Sequence, residues 1–284
     1  MHVDHNRGRA PLLPLARYQV RFKSSGNVSL PAYTGSVWRG AFGYALKKIV
    51  CVTHIDSCGA CLLYRSCPYP YIFETPPPSG ALKMRKYTAA PHPFLLEVSL
   101  APEDDLYRVG VTVIGRGNAY LPYIVHAFQR AGDWGLGKGR APMAMMDVRQ
   151  ARPVESDAWE LIYEPGGILR PSPPSVPAGP PAPTAARLTF NTPLRVQRDE
   201  HLVKPEAFRF SDFFGPLLRR VSMLTYFHTD TPLETDFAGL VGQARQIEPA
   251  SVNLAWKDWT RYSSRQKMKM QMGGLGGRDC NRTC

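Results

Sequence analysis

The chain has 284 residues, 44% of them hydrophobic, with 35 Lys and Arg against 23 Asp and Glu. That length suits one large or two ordinary domains with a real apolar core. The formal charge of +12 argues for a polyanionic partner, nucleic acid or an acidic membrane surface, over the plainer reading of a merely basic soluble enzyme.

No run reaches the roughly 18 apolar residues that a bilayer span needs, so no membrane anchoring is expected. The start, MHVDHNRGRAPLLPLARYQV, is polar and its short apolar patch is broken by Pro11 and Pro14, unlike a signal peptide. A cytoplasmic chain is therefore expected. There thiols stay reduced, and the six cysteines read first as ligands, nucleophiles or buried thiols.

In chain order, ARYQVRFKS alternates and predicts a strand, and TGSVWRGAFGYALKKIVC has helical spacing. PFLLEVSL and YRVGVTVIG predict two strands, AYLPYIVHAFQRAG a second helix, and APMAMMDVRQ a closing strand. The order βαββαβ fits a ferredoxin-like α+β domain, the layout of RNA-recognition folds, over residues 12–155. Eight prolines then fall between Pro165 and Pro183. Proline locks φ and removes an amide donor, so residues 164–186 read as a semi-rigid linker. A second unit, 187–284, begins the same way: ARLTFNTPLRVQ as strand, RFSDFFGPLLRRVSMLTYF as helix with Ser211 or Asp212 near its start, then SVNLAWKDW and SSRQKMKMQM as strands. A full repeat would still need a helix and a strand, so this second ferredoxin-like domain is expected to be incomplete.

Three segments carry candidate chemistry. On the first helix, Trp38, Ala41, Phe42, Ala45, Leu46 and Ile49 fall on one side at 100° per residue. Arg39, Gly40, Gly43, Tyr44, Lys47 and Lys48 fall on the other, with Arg39, Gly43 and Lys47 in one stripe. Glycine costs a helix about 1 kcal/mol relative to alanine, so two on the polar face suggest close approach of a phosphate backbone; close packing against a strand would look the same. Immediately after it, Cys51, Cys58, Cys61 and Cys67 are spaced C-x6-C-x2-C-x5-C, with His54 inside. Such a set can close a tetrahedral thiolate site, structural rather than catalytic, for zinc; buried thiols and an iron–sulfur cluster are the alternatives. Cys280 and Cys284 have no such partners. GDWGLGKGR, between the second helix and the closing strand, offers glycine backbone with Lys138 and Arg140 to a phosphate, or is a surface turn.

Near the end, Arg265, Lys267, Lys269 and Gln271 share one parity, and Gln266, Met268, Met270 and Met272 the other. A strand with methionines inward would present a cationic row. With Arg261, Trp256, Trp259 and Tyr262 just upstream, that mixture suits RNA, which needs charge neutralisation and stacking; a charged edge strand that blocks aggregation would look alike.

Taken together, GSVWRGAFGYALKKIVC, CGACLLYRSCPYPYIFE, GLGKGR and WTRYSSRQKMKMQMGGL, in that order, resemble the CRISPR-associated repeat-processing endoribonucleases of the repeat-associated mysterious protein superfamily, from about Tyr18 to Gly274. The resemblance implies two tandem ferredoxin-like domains and cleavage of CRISPR precursor RNA within its repeats, with no catalytic metal. The ribose 2′-hydroxyl would attack the adjacent phosphorus, leaving a 2′,3′-cyclic phosphate and a 5′-hydroxyl. Where the family often has histidine this chain has Tyr44; Tyr44, Lys47 and Arg39 are then the catalytic candidates, with Tyr33 and His54 in reserve. Lys138, Arg140, Arg261, Arg265, Lys267 and Lys269 are the RNA-binding candidates. The family's last glycine-rich loop and strand have no counterpart after the GGL run, as in a frameshifted or truncated C-terminus. The alternative reading is a non-catalytic RNA-binding subunit of a CRISPR effector complex. Repeat RNA and other effector subunits are the expected partners.

Overall fold

A computed structural model describes residues 12–24, 26, 28–31, 34–83, 87–98, 105–137, 139–263 and 268–277. It divides into two compact units, residues 1–178 with 223–233, and residues 179–222 with 234–284.

The first unit is a five-stranded antiparallel sheet backed by two helices. Its elements run β1 (Leu15–Ser24), α1 (Gly35–Val50), β2 (Phe94–Val98), β3 (Leu106–Ile114), α2 (Leu121–Asp133), β4 (Met143–Ala151) and β5 (Trp159–Tyr163), in sheet order β2-β3-β1-β4-β5. The first four strands have the ferredoxin-like order, with β1 central between β3 and β4, and each helix joins two parallel strands that have one antiparallel strand between them. Strict alternation in β1 sends Ala16, Tyr18, Val20 and Phe22 into the core. There they meet the apolar stripes of the helices, Trp38, Phe42 and Leu46 from α1 and Ile124 and Phe128 from α2. Phe42 stacks on Phe128 with ring centroids 4.7 Å apart, and Phe22 lies 4.9 Å from Trp38. The other parity of β1 carries Arg17, Gln19, Arg21 and Lys23. Arg21 is paired with Asp147, which Arg149 also reaches, and Arg17 with Asp157, so part of the basic excess is neutralised within the unit.

Two expectations are corrected here. The segment WELIY forms a fifth strand, β5, on the edge beside β4, where the sequence reading placed the end of the domain at residue 155. Residues 164–178, expected as the first part of a linker, group with the first unit. Ser175 pairs with Leu15 through both backbone groups, and Gln150 exchanges hydrogen bonds with Ser172. Proline removes donors, but the non-proline residues between supply enough of them to lay an extended chain along a sheet end.

The second unit contains a short hairpin, β6 (Gln197–Arg198) with β7 (His201–Leu202), the helices α3 (Phe210–His228, its last turns counted with the first unit) and α4 (Phe237–Gln246), and a long hairpin, β8 (Leu254–Ser263) with β9 (Met268–Gly277). Asp212 accepts from the backbone N–H of Arg209 and pairs with Arg198, fixing the start of α3. The helix α4, capped by Asp236 onto Gly239, was not expected; its apolar spacing is short and interrupted by Gly239 and Gly242. The strand expected over ARLTFNTPLRVQ is reduced to an isolated bridge, Leu194 with Leu275, and the first residue of β6, Gln197. That bridge places the 194 segment beside β9, which pairs β8, the neighbour relations of the first half of a ferredoxin-like unit.

The strand β9 also runs on through GGLGG, where the sequence reading ended it at Met272. Leu275 is fully buried with Val196 and Val203. A Cβ at Gly273 would collide with the indole of Trp256, and one at Gly274 would crowd the carbonyl of Leu194. The glycines leave room for neighbours and do not mark a loop.

Candidate nucleic-acid interface

The three catalytic candidates share α1 but not one set of contacts. Arg39 lies over the rings of Phe73 and Phe94, its Cζ 4.5 and 5.3 Å from their centroids. Lys47 donates to the carbonyl of Asp56 at 3.1 Å and sits 5.7 Å from the centroid of Tyr69. Between them Gly43 is buried, and any Cβ there would strike the ring of Phe73. Tyr69 and Phe73 stack on each other from the π-helical turn Pro70–Glu74 and the residue before it. The Arg39–Gly43–Lys47 stripe is thus covered by the protein's own aromatics. The expectation that Gly43 leaves space for a phosphate is corrected: it leaves space for Phe73. Gly40, by contrast, has nothing near it.

Tyr44 points elsewhere. It is 61% exposed, with its ring edge-to-face against Trp134, centroids 5.7 Å apart. Lys48 lies 5.9 Å from the Tyr44 ring, and Arg130 of α2 lies 5.2 Å from that of Trp134. The glycine loop follows Trp134 directly. Its ends close through paired backbone hydrogen bonds between Leu136 and Ala141, with the backbone of Arg140 against Gly135. Gly135 and Gly137 have φ of +82° and +73°, a conformation that favours glycine. Arg140 is exposed beside this turn. Lys138, Tyr33, Arg265 and Lys267 lie outside the described residues. Arg261 and Lys269 are placed by backbone pairing only, Arg261 opposite Met270 and Lys269 opposite Tyr262.

The four cysteines converge. Cys51, Cys58, Cys61 and Cys67 line one cavity of about 20 Å³ with Lys47 and Tyr64. Burial, and then the carboxylate of Glu74, push the Cys58 thiol up, and burial raises Cys67. Donor chemistry and convergence suit a thiophilic ion. As the side chains stand, however, no three His, Cys, Asp or Glu among the described residues are placed to hold one. His54, the expected substitute ligand, is exposed with φ of +55° and does not line the cavity.

One cluster was missed from the sequence. His228, 1% exposed, accepts at Nδ1 from the Tyr71 hydroxyl at 3.1 Å, while Nε2–H donates to the carbonyl of Pro91 at 2.8 Å. Burial, seconded by the charge of Arg116, lowers its pKa to about 4, and burial pushes Tyr71 up to about 12. Arg116 donates to the carbonyl of Phe227 and to Asp230, both at 2.8 Å. Gly115, at φ +53°, has no room for a side chain against the carbonyl of His228. A lone histidine in TYFHTD carries no sequence signal for this.

The fold and this face define an α+β protein whose first unit is ferredoxin-like and presents a cation–aromatic surface on its helical side. Residues 13–174 match the family model AF_1859_N, an N-terminal domain, and the chain belongs to that family. The match ends inside the proline run, in keeping with the packing of residues 164–174 on the first unit. No curated protein matches the chain. A solved structure described as a Cas6 product complex is similar at a TM-score of 0.48 and 13% identity, covering 93% of this chain and 83% of that one, a remote likeness. No helix among the described residues is long and apolar enough to cross a membrane.

Proposed function

We propose that the protein is a CRISPR repeat-RNA endoribonuclease that cleaves without a metal ion. The reading rests on the ordered motifs that resemble repeat-processing enzymes and on the +12 charge. The observation that carries it is the solvent-exposed Tyr44 among Lys48, Arg130 and Trp134 on a ferredoxin-like domain. In the reaction the 2′-oxygen loses its proton and bonds to phosphorus. The P–O5′ bond breaks, the 5′-oxygen takes up a proton, and a 2′,3′-cyclic phosphate remains. Tyr44 is the candidate to orient the 2′-hydroxyl. Arg39 and Lys47 support the helix that carries it and enter the reaction only if the segment 69–74 yields them. Lys138, Arg140, Arg261, Arg265, Lys267 and Lys269 are proposed to hold the phosphate chain. Zinc at Cys51, Cys58, Cys61 and Cys67 is proposed as a structural clamp on the loop after α1, supported by their shared cavity and tested by metal analysis before and after Cys61→Ser.

The test is incubation of the purified chain with a repeat hairpin in EDTA, followed by end analysis of the fragments. Fragments with cyclic phosphate and 5′-hydroxyl ends are expected; 5′-phosphate ends, or intact RNA, would overturn the reading. A second reading, an RNA-holding subunit that does not cleave, is favoured by the separation of Tyr44 from Arg39 and Lys47. It predicts tight binding and intact RNA in the same assay.

A further inference from the structure

The ladder Lys48–Tyr44–Trp134–Arg130 has a geometry that orientation of a nucleophile does not require. Two aromatic rings, one on α1 and one just past the end of α2, meet edge to face at 5.7 Å, so one presents its face where the other presents its edge. A cation caps each end, at 5.9 Å from Tyr44 and 5.2 Å from Trp134. Tyr44 is mostly exposed and Trp134 partly so. An exposed aromatic of this size costs the free protein apolar hydration, and here Tyr44 stays 61% exposed despite Trp134 and Lys48 beside it.

We propose that Tyr44 and Trp134 form a stacking platform for unpaired bases of single-stranded RNA, with Lys48, Arg130 and Arg140 on the flanking phosphates. The proposal rests on the RNA reading above and deepens it: the RNA passes this face as a single strand. Three features argue for that occupant over a duplex. A duplex keeps its base faces stacked internally and offers a protein only backbone and groove edges. Stacking on aromatic rings reads any base face and needs the strand unpaired. The cations Lys48 and Arg130 lie against the two rings, with Asp133 3.5 Å from Arg130, so phosphates and rings find partners in alternation. The glycine loop, turned by the positive φ of Gly135 and Gly137, adds exposed Arg140 three residues beyond Gly137. The ring of Tyr44 acts here independently of its hydroxyl.

The experiment is equilibrium binding of the full chain to a fluorescent single-stranded oligonucleotide and to a blunt RNA duplex of equal length. It compares the parent with Tyr44→Phe, Tyr44→Leu, Trp134→Leu and Lys48→Gln, with thermal melts as a folding control. Base stacking contributes roughly 5- to 100-fold per base. Tyr44→Leu and Trp134→Leu are therefore each expected to weaken single-strand binding by about that factor, with duplex binding unchanged and Tyr44→Phe weakened less than Tyr44→Leu. Should Trp134→Leu fail to fold, Tyr44→Leu on its exposed site decides. Single-strand affinity unchanged in Tyr44→Leu, or equally reduced in Tyr44→Phe, overturns the platform while leaving the RNA reading intact. A parent that binds neither RNA overturns both.

Discussion

The two faces of α1 carry similar residues and meet different fates. On one, Arg39 and Lys47 flank Gly43, and the aromatics that complement them, Phe73 and Tyr69, come from the same chain. On the other, Tyr44 and Lys48 meet Trp134 and Arg130, and the set remains open. Cation–π contacts stabilise both by about 0.5–2 kcal/mol each. The difference lies in coverage: Arg39 and Lys47 are met by the chain's own aromatics, whereas Tyr44 and Lys48 stay exposed. Helical periodicity puts both sets on the polar side, so pattern alone assigns both to RNA.

The largest effect expected lies at His228, which is bonded to Tyr71 of the same Pro70–Glu74 turn. Its folded pKa of about 4 is below the unfolded value of about 6.5, so between these pH values the unfolded chain binds more protons. Stability is full above pH 6.5 and falls as pH drops toward 4, by about 3 kcal/mol in total. Denaturant titrations at pH 7.5 and 4.5 would show the loss, and His228→Gln should flatten most of it; an unchanged slope in that variant would remove His228 as the cause.

Next in size, Gly43→Val should cost about 1–3 kcal/mol by driving Phe73 off the helix. Gly40→Ala, in open space, should instead stabilise by up to about 1 kcal/mol. Equal effects of the two in urea unfolding would mean that the covered face is not packed as described. The smallest effect concerns charge. Lys48→Gln should make the salt dependence of single-strand RNA binding shallower by about 0.7 in log–log slope, one phosphate contact, while Lys47→Gln, committed to Asp56 and Tyr69, should leave the slope as it is.

The first unit was legible because its signals are periodic. β1 alternates without a break, α1 and α2 have continuous apolar stripes, and βαββαβ admits few topologies. What stayed hidden depends on partners distant in sequence. Gly43 looks polar-facing until Phe73, thirty residues on, covers it. His228 meets Tyr71 and Pro91 across more than a hundred residues. Ser175 joins the sheet end from within a proline run that reads as linker. The alternation that marks the last strand stops at Met272, yet the glycines after it continue β9 and leave space for Trp256 and Leu194. The cysteine spacing brought four thiols to one cavity without showing how their sulfurs are disposed.

The most direct measurement of the proposed activity is cleavage of a repeat RNA carrying a single 2′-deoxyribose at the scissile nucleotide, in EDTA, beside the all-ribose strand. A nucleophile supplied by the RNA itself predicts that the ribose strand is cut and the deoxy strand is bound but stays whole. Equal cutting of both strands would contradict the account.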